Sequence, residues 1–221
     1  MESWRALFDR AAGADTDEAA ISAALRAVRA DEGGGSPAGD DTGETDASEA
    51  DVDGTDAASG PSVPPPGESS PARVVADADV LAADLLVGGD ARAALDELRS
   101  HTWTTLLASD PLLDDAEAVV ETVADDRLAA DWRERVAAWR EPVTQPPGDH
   151  PALASAYRGG AMHLLSFDDG LLSATAGATL GSRLSVSARH PQAFASLFDP
   201  ESLYQAVVGG AYPGPDRDPR E

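Results

Sequence analysis

The chain contains the run Arg73-Val74-Val75-Ala76-Asp77, in which a short apolar segment ends on a carboxylate. A second run of this kind, residues 161–168, closes on Asp168. Apolar runs of this length, bounded by turn-forming residues and followed by helical patterns, are typical of buried parallel strands. Ligands of such folds bind outside the carboxyl ends of the strands. Both aspartates are therefore predicted to lie at the ligand-binding edge of a sheet.

From residue 73 onward, strand patterns alternate with helix patterns. This alternation predicts an α/β fold, a three-layer α/β/α sandwich with a mostly parallel central sheet. The predicted strands are 73–78, 102–108, a very short one at Val143, 162–166 and 184–187. The predicted helices are 80–87, 90–98 with Asp90 as its cap, 111–123, 126–140, 150–158, 169–175, 191–198 and 200–207.

Composition divides the chain into four segments. Residues 1–31 are predicted to be a short helical segment, and residues 32–72 a disordered acidic and Pro-rich linker with almost nothing apolar to bury. Residues 73–208 form the main domain, and residues 209–221 are predicted to be a disordered tail.

The N-terminal segment shows two amphipathic patterns. Trp4, Leu7 and Phe8 fall on one helical face, and Ile21, Ala24, Leu25 and Val28 fall on another, with Asp15 or Thr16 as the predicted cap between them. A pair of short helices cannot bury a core of its own, so it must dock on something or be only partly ordered. The linker is long enough that the pair need not touch the main domain.

The composition is strongly acidic, with a formal net charge of −24. All 16 basic residues are arginine, and the chain has no lysine and no asparagine. This indicates a haloarchaeal-type protein that stays hydrated in concentrated salt, although a GC-rich genome would produce the same bias. The absence of cysteine excludes disulfides, thiolate metal sites and cysteine nucleophiles. No secretory signal or membrane-spanning stretch is visible, so a cytoplasmic location is expected.

Four aspartates form the candidate site: Asp77, Asp115, Asp149 and Asp168. Each lies where an α/β domain brings strand ends and helix starts together. Carboxylates gathered in this way repel one another unless a cation holds them, which suggests a hard-metal site with hydrolytic chemistry. The alternative is structural, because an aspartate before a helix is a good N-cap.

Four ordered segments resemble the PIN domain family of metal-dependent ribonucleases. They are Val74–Leu81, Ser109–Asp115, Asp149–Ala156 and Leu164–Leu172, followed by Leu184–Ser187 as a closing strand. The resemblance covers roughly residues 73–200 and includes nothing in residues 1–72. The family's second acidic ligand falls on Asp114 or Asp115, and the register from Ser109 favours Asp115.

The resemblance implies a site for Mg²⁺ or Mn²⁺. Its ligands would be Asp77, Asp168, Asp149 and Asp115, with Asp79 and Asp169 as accessory ligands and Ser166 holding a carboxylate or a phosphate oxygen. The expected activity is endonucleolytic hydrolysis of single-stranded RNA by a metal-activated water.

Two other functions remain open at this level. One is a catalytically weak or inactive scaffold that works through protein or RNA binding. The other is a toxin-type nuclease controlled by an antitoxin. The expected partners are RNA and a protein bound through the N-terminal helices, with a homodimer left open and no membrane.

Overall fold

The computed structural model describes residues 2–33, 67–146, 149–173, 177 and 186–221. The strands in this part of the chain are β1 Ser70–Ala76, β2 Thr105–Ala108, β3 Glu141–Pro142, β4 Ala161–Leu165 and β5 Ser187–Arg189. The helices are α1 Trp4–Ala11, α2 Glu18–Gly33, α3 Ala78–Leu86, α4 Gly89–Arg99, α5 Asp110–Val123, α6 Asp126–Trp139, α7 Pro151–Gly159, α8 Asp169–Leu172, α9 Pro191–Leu197 and α10 Pro200–Val207.

The five strands form one sheet in the order β3-β2-β1-β4-β5, and every pairing is parallel. Helices flank this sheet, so the predicted α/β class with a three-layer α/β/α arrangement is confirmed. None of the helices in the described ranges is long and apolar enough to cross a membrane.

Strand β1 lies at the centre of the sheet, and the last three residues of the strand, Val74–Ala76, are buried. Val74 pairs with Leu106 of β2, and Val75 pairs with Leu164 of β4. All four side chains are at most 1 % exposed. Near-continuous apolar strands of this kind belong in a parallel sheet covered on both faces. The carboxyl end of the most central strand therefore delivers the residue that follows it, Asp77, into the middle of the sheet edge.

Both N-terminal helices pack on the main domain. Trp4, Leu7 and Phe8 of α1 are buried, as are Ile21 and Leu25 of α2. Helix α1 lies against α3 and α6, and α2 lies against α3 and α5. Of the alternatives that the sequence left open for this segment, the structure shows docking on the main domain, because the apolar stripes that cannot form a core alone join the core of the sandwich.

The ends of the predicted 32–72 linker are also different. Helix α2 continues to Gly33, and β1 begins at Ser70. The remainder of the linker, residues 34–66, lies outside the described residues.

The predicted disordered tail, residues 209–221, is corrected by its contacts. The Arg220 guanidinium pairs with Asp96 at 2.5 Å, and Tyr212 and His101 share a 2.5 Å hydrogen bond. The main-chain N–H of Thr102 donates to Asp216. The charged and aromatic side chains of this segment thus bind specific partners around the end of α4.

Several predicted helix starts shift in the structure. Asp17, rather than Asp15 or Thr16, accepts from the main chain at the start of α2, with 2.8 Å from the Ala20 nitrogen. Helix α4 begins at Gly89, so Asp90 lies in its first turn and is not its cap. His150 takes the cap position of α7, which leaves Asp149 outside the helix.

Two of the predicted strands and one helix near them have different bounds. The strand predicted at Val143 lies at Glu141–Pro142, and β5 begins at Ser187 rather than at residue 184. Helix α8 ends at Leu172. Residues 174–175 of the predicted helix lie outside the described residues. Residues 184–185 of the predicted strand do so too.

A buried ion pair joins α3 to α4. Asp84 and Arg99 contact each other through charged atoms, and their side chains are 1 % and 2 % exposed. The Arg99 guanidinium also lies 4.1 Å from the ring centre of Trp4 and 4.9 Å from that of Trp139. Arginine stacked on aromatic rings is favoured by the ring quadrupole. This cation thus connects α1 and α6 to the interior of the domain.

Replacing Gly160 with Ala is expected to destabilise the fold by about 2–4 kcal/mol, since a strained backbone and a steric clash add together. Gly160 has φ +70°, and a Cβ there would lie 2.4 Å from the main-chain oxygen of Glu68. Gly209→Ala is the matched control, because Gly209 has φ +88° and open space around it. Urea denaturation measures both variants. Equal losses would show that the contact at Gly160 is not tight.

Candidate functional site

Asp77 is the centre of the candidate site. It follows β1 directly and is completely buried. Its Oδ1 accepts from the Ala78 nitrogen at 2.8 Å, so it caps α3 as the structural alternative predicted. The same atom lies 2.8 Å from Nη2 of Arg29. Capping therefore leaves this carboxylate able to bind a cation.

Asp115 faces Asp77 from helix α5. It is 3 % exposed, and its Oδ2 lies 2.8 Å from Nε of Arg29. Asp114 points elsewhere, because it pairs with Arg133 at 2.8 Å on the surface. Of the two acids that the sequence left open, the structure brings Asp115 to Asp77.

Arg29 of α2 joins the two carboxylates through one guanidinium. Its Nη1 also lies 3.3 Å from Nε2 of His150. Burial opposes its charge, but the ion pairs with Asp77 and Asp115 outweigh that cost and raise the pKa of Arg29 above its ordinary value. Burial lowers the pKa of His150, and the positive charge of Arg29 contributes in the same direction. A neutral His150 can accept the Arg29 hydrogen bond.

Asp79 and Ser166 lie beneath this pair. The Ser166 hydroxyl is 3.3 Å from Oδ2 of Asp77 and 3.5 Å from Oδ2 of Asp79. The Phe167 nitrogen donates to Asp79 at 3.1 Å. Burial, followed by repulsion from Asp77, raises the pKa of Asp79 to about 8. Asp79 is therefore mostly protonated at neutral pH, and the uncompensated negative charge comes from Asp77 and Asp115, which share the one Arg29 guanidinium.

Asp168 and Asp169 lie at the rim. Both are exposed, and Oδ1 of Asp168 accepts from the Gly170 nitrogen at 2.6 Å, which caps α8. The Asp168 nitrogen in turn donates to the Ser166 hydroxyl at 3.0 Å. A pocket of about 330 Å³ opens here, lined by α2 on one side and by the aspartates on the other: Ser22, Leu25, Arg26, Arg29, Asp77, Asp79, Phe167, Asp168 and Asp169.

Asp149 is placed differently from the other predicted ligands. It is exposed, and its main-chain carbonyl accepts from Gln145 at 2.9 Å. Its neighbour His150 supplies the side chain that contacts Arg29. The structure therefore brings together Asp77, Asp79 and Asp115, sets Asp168 and Asp169 at the pocket rim, and leaves Asp149 outside.

Arg29 is the site residue that the sequence reasoning missed. The sequence does indicate that Arg29 faces the domain, because Ile21, Leu25 and Arg29 follow one another at intervals of four residues. Residues i, i+4 and i+8 share a helix face, so an arginine in register with two buried apolar residues must reach a buried anion or remain uncompensated.

The chemistry of the carboxylates fits a hard divalent cation. Within the described residues, no group of three or more His, Asp or Glu side chains is already arranged around a metal position. Asp77 and Asp115 instead converge on the Arg29 guanidinium. Mg²⁺ needs only one or two carboxylates and completes its shell with waters and substrate oxygens. Asp77 and Asp115 are therefore the residues that would hold such an ion.

Together these features define a parallel α/β domain with a buried acidic site beside its central strand. Residues 68–220 match the model of a family of unknown function (DUF7384), and the chain belongs to this family. No curated protein and no solved structure matches the chain.

The assignment to the PIN domain family that the sequence suggested is wrong. The family model that matches is a different one, and no PIN domain match is found. The resemblance depended on aspartates that follow short apolar strands or begin helices. Strand ends collect polar residues in any parallel α/β domain, and helix starts favour aspartate. Both requirements produce similar short segments without common descent.

Proposed function

We propose that this protein is a divalent-metal-dependent phosphodiesterase that cleaves single-stranded RNA, with Mg²⁺ or Mn²⁺ bound by Asp77 and Asp115. One observation carries the proposal. Two buried carboxylates from different elements approach a single positive charge at 2.8 Å each, with a third buried acid, Asp79, directly beside them. Burying several carboxylates is costly, and proteins retain such clusters mainly where a cation is bound.

A metal ion in this position would activate a water molecule and neutralise charge that develops on phosphate oxygens. The protein residues have separate tasks. Asp77 and Asp115 hold the cation, and Ser166 fixes the orientation of Asp77 through its hydroxyl. Asp168 is exposed at the rim of the same pocket and would add an accessory carboxylate to the site.

The shape of the pocket supports a single-stranded substrate. Its volume of about 330 Å³ is at the lower end of the range for small-ligand sites, about 300–1,000 Å³, so a duplex cannot enter it. Phe167 and Arg26 line the same pocket. An aromatic ring can stack on an unpaired base, and a guanidinium can bind a phosphate in bidentate geometry.

The charge of the protein supports a salt-rich cytoplasm as its setting. At a net charge of −24, long-range repulsion opposes an approaching RNA in dilute buffer. In 1 M salt the screening length falls to about 3 Å, so local contacts decide binding. Activity is therefore proposed to rise from low to high salt, opposite to the usual behaviour of nucleic-acid-binding proteins.

A second candidate function is a catalytically silent scaffold. It is favoured by the fact that Asp77 and Asp115 already share an ion pair with Arg29. In that case the acidic site stabilises the docking of α2 and has no need for a metal.

A cleavage assay separates the two functions. We expect the purified protein in 2–3 M KCl, roughly the range that screens surface charge completely, to cleave a labelled single-stranded RNA with Mn²⁺. Chelation with EDTA should abolish cleavage, and the matched RNA duplex should be resistant. Metal-independent cleavage, or none with Mn²⁺ or Mg²⁺ at any salt concentration, would contradict the proposed enzyme.

A further inference from the structure

Arg29 occupies the position that the proposed cation requires. Its Nη2 and Nε each lie 2.8 Å from a carboxylate oxygen, one from Asp77 and one from Asp115. A metal held by these two carboxylates would lie close to the guanidinium that now contacts both of them. At such short range two positive species repel strongly in a partly buried site, so they cannot share both carboxylates.

The rest of α2 fixes Arg29 in this place. Ile21 is fully buried and Leu25 is 4 % exposed, both against the domain core. Arg29 lies one turn beyond Leu25, and its side chain is 24 % exposed towards the pocket. The helix is therefore anchored by its apolar face, whereas the guanidinium stands at an opening to solvent. Exchange of cations can proceed by movement of this one side chain, without release of the helix.

Arg26 provides a comparison within the same helix. It lines the same pocket, but its guanidinium bonds the main-chain oxygen of Ser22 at 3.2 Å and makes no ion pair within the described residues. The two arginines therefore differ in one respect that matters here, which is contact with the carboxylates.

We propose that Arg29 is a built-in competitor for the divalent cation, so that Asp77 and Asp115 bind the metal only when the Arg29 side chain leaves them. This inference rests on the proposed function, because it needs a metal site at these carboxylates. It adds that helix α2 regulates whether the family domain binds the metal. This helix lies outside residues 68–220, the range of the family match.

The test is Mn²⁺ binding by the full chain, measured by electron paramagnetic resonance of free Mn²⁺ without any substrate. Arg29→Gln should bind Mn²⁺ at least about tenfold more tightly than wild type, since loss of even one charge-assisted contact of the competitor is worth that factor. Arg127→Gln removes an arginine charge that is 86 % exposed on α6 and keeps the competitor, so it should bind as wild type does. Circular dichroism checks that each variant is folded.

Thermal unfolding gives a second measurement. Arg29→Gln leaves two buried carboxylates without their counter-ion, so its Tm should be lower without metal and should rise more with Mn²⁺ than that of wild type. Equal Mn²⁺ affinity in Arg29→Gln and wild type would overturn the competition while leaving the metal site intact. An absence of Mn²⁺ binding in both would overturn the metal site and this inference together.

Discussion

Replacing Asp77 with Asn is expected to reduce metal-dependent RNA cleavage by about 100-fold or more, because catalytic centres lose this much when one charged group is neutralised. Asn has the shape of Asp and retains an oxygen that can accept from the Ala78 nitrogen at 2.8 Å, so the cap of α3 is preserved. What disappears is the negative charge that faces Arg29 in the structure and the metal in the proposal.

Asp114→Asn is the matched control for this experiment. Asp114 precedes Asp115 in the same helix, but it is exposed and pairs with Arg133. Its loss should leave the cleavage rate within about twofold of wild type, as surface ion pairs contribute little. The initial rate at saturating Mn²⁺ is the quantity to compare. If Asp77→Asn cleaves as fast as Asp114→Asn, the assigned site is not the catalytic one.

Replacing Arg99 with Met is expected to destabilise the protein by about 3–5 kcal/mol, because removal of one partner leaves a buried charge without compensation. Asp84 is 1 % exposed and depends on Arg99 for its principal ion pair, while Arg92 lies 3.8 Å away. Arg99 also supports the rings of Trp4 and Trp139. Its loss should therefore loosen α1 as well as the α3–α4 contact.

Two variants calibrate this result in denaturant titrations. Arg133→Met removes an arginine whose partners are on the surface, and it should cost less than about 1 kcal/mol. The double variant Asp84→Leu with Arg99→Met removes both buried charges and should recover part of the loss. If the double variant is no more stable than Arg99→Met, the cost arises from lost packing on the tryptophans rather than from the stranded carboxylate.

The central strand of the sheet was predictable because a strand that is buried on both faces consists of consecutive apolar residues. Val74, Val75 and Ala76 form an apolar run that only a central parallel strand accommodates, and the structure puts them there. The helix starts were less predictable. A start can offer more than one capping residue, and the backbone angles of its neighbours decide which of them caps the helix. At the start of α2, Asp17 accepts from the main chain, and Asp15 and Thr16 were the predicted caps.

The candidate site was predictable only in part. Asp77 follows a recognisable strand, so its location at the sheet edge could be derived. Asp115 and Arg29 are 86 positions apart in the sequence, so a local sequence pattern cannot predict their ion pair. Asp149 illustrates the opposite error, because its neighbour His150 takes both the cap position and the contact with Arg29.

The burial of α1 and α2 means that the family domain, residues 68–220, is not the same unit as the folding domain. The N-terminal helices behave as a ligand that is covalently attached to its receptor through residues 34–66. Attachment gives such a ligand a high effective concentration that does not depend on how much protein is present. Cleavage between residues 34 and 66 would turn this contact into an ordinary bimolecular complex, so that dilution alone would separate the helices and expose the core surface they cover.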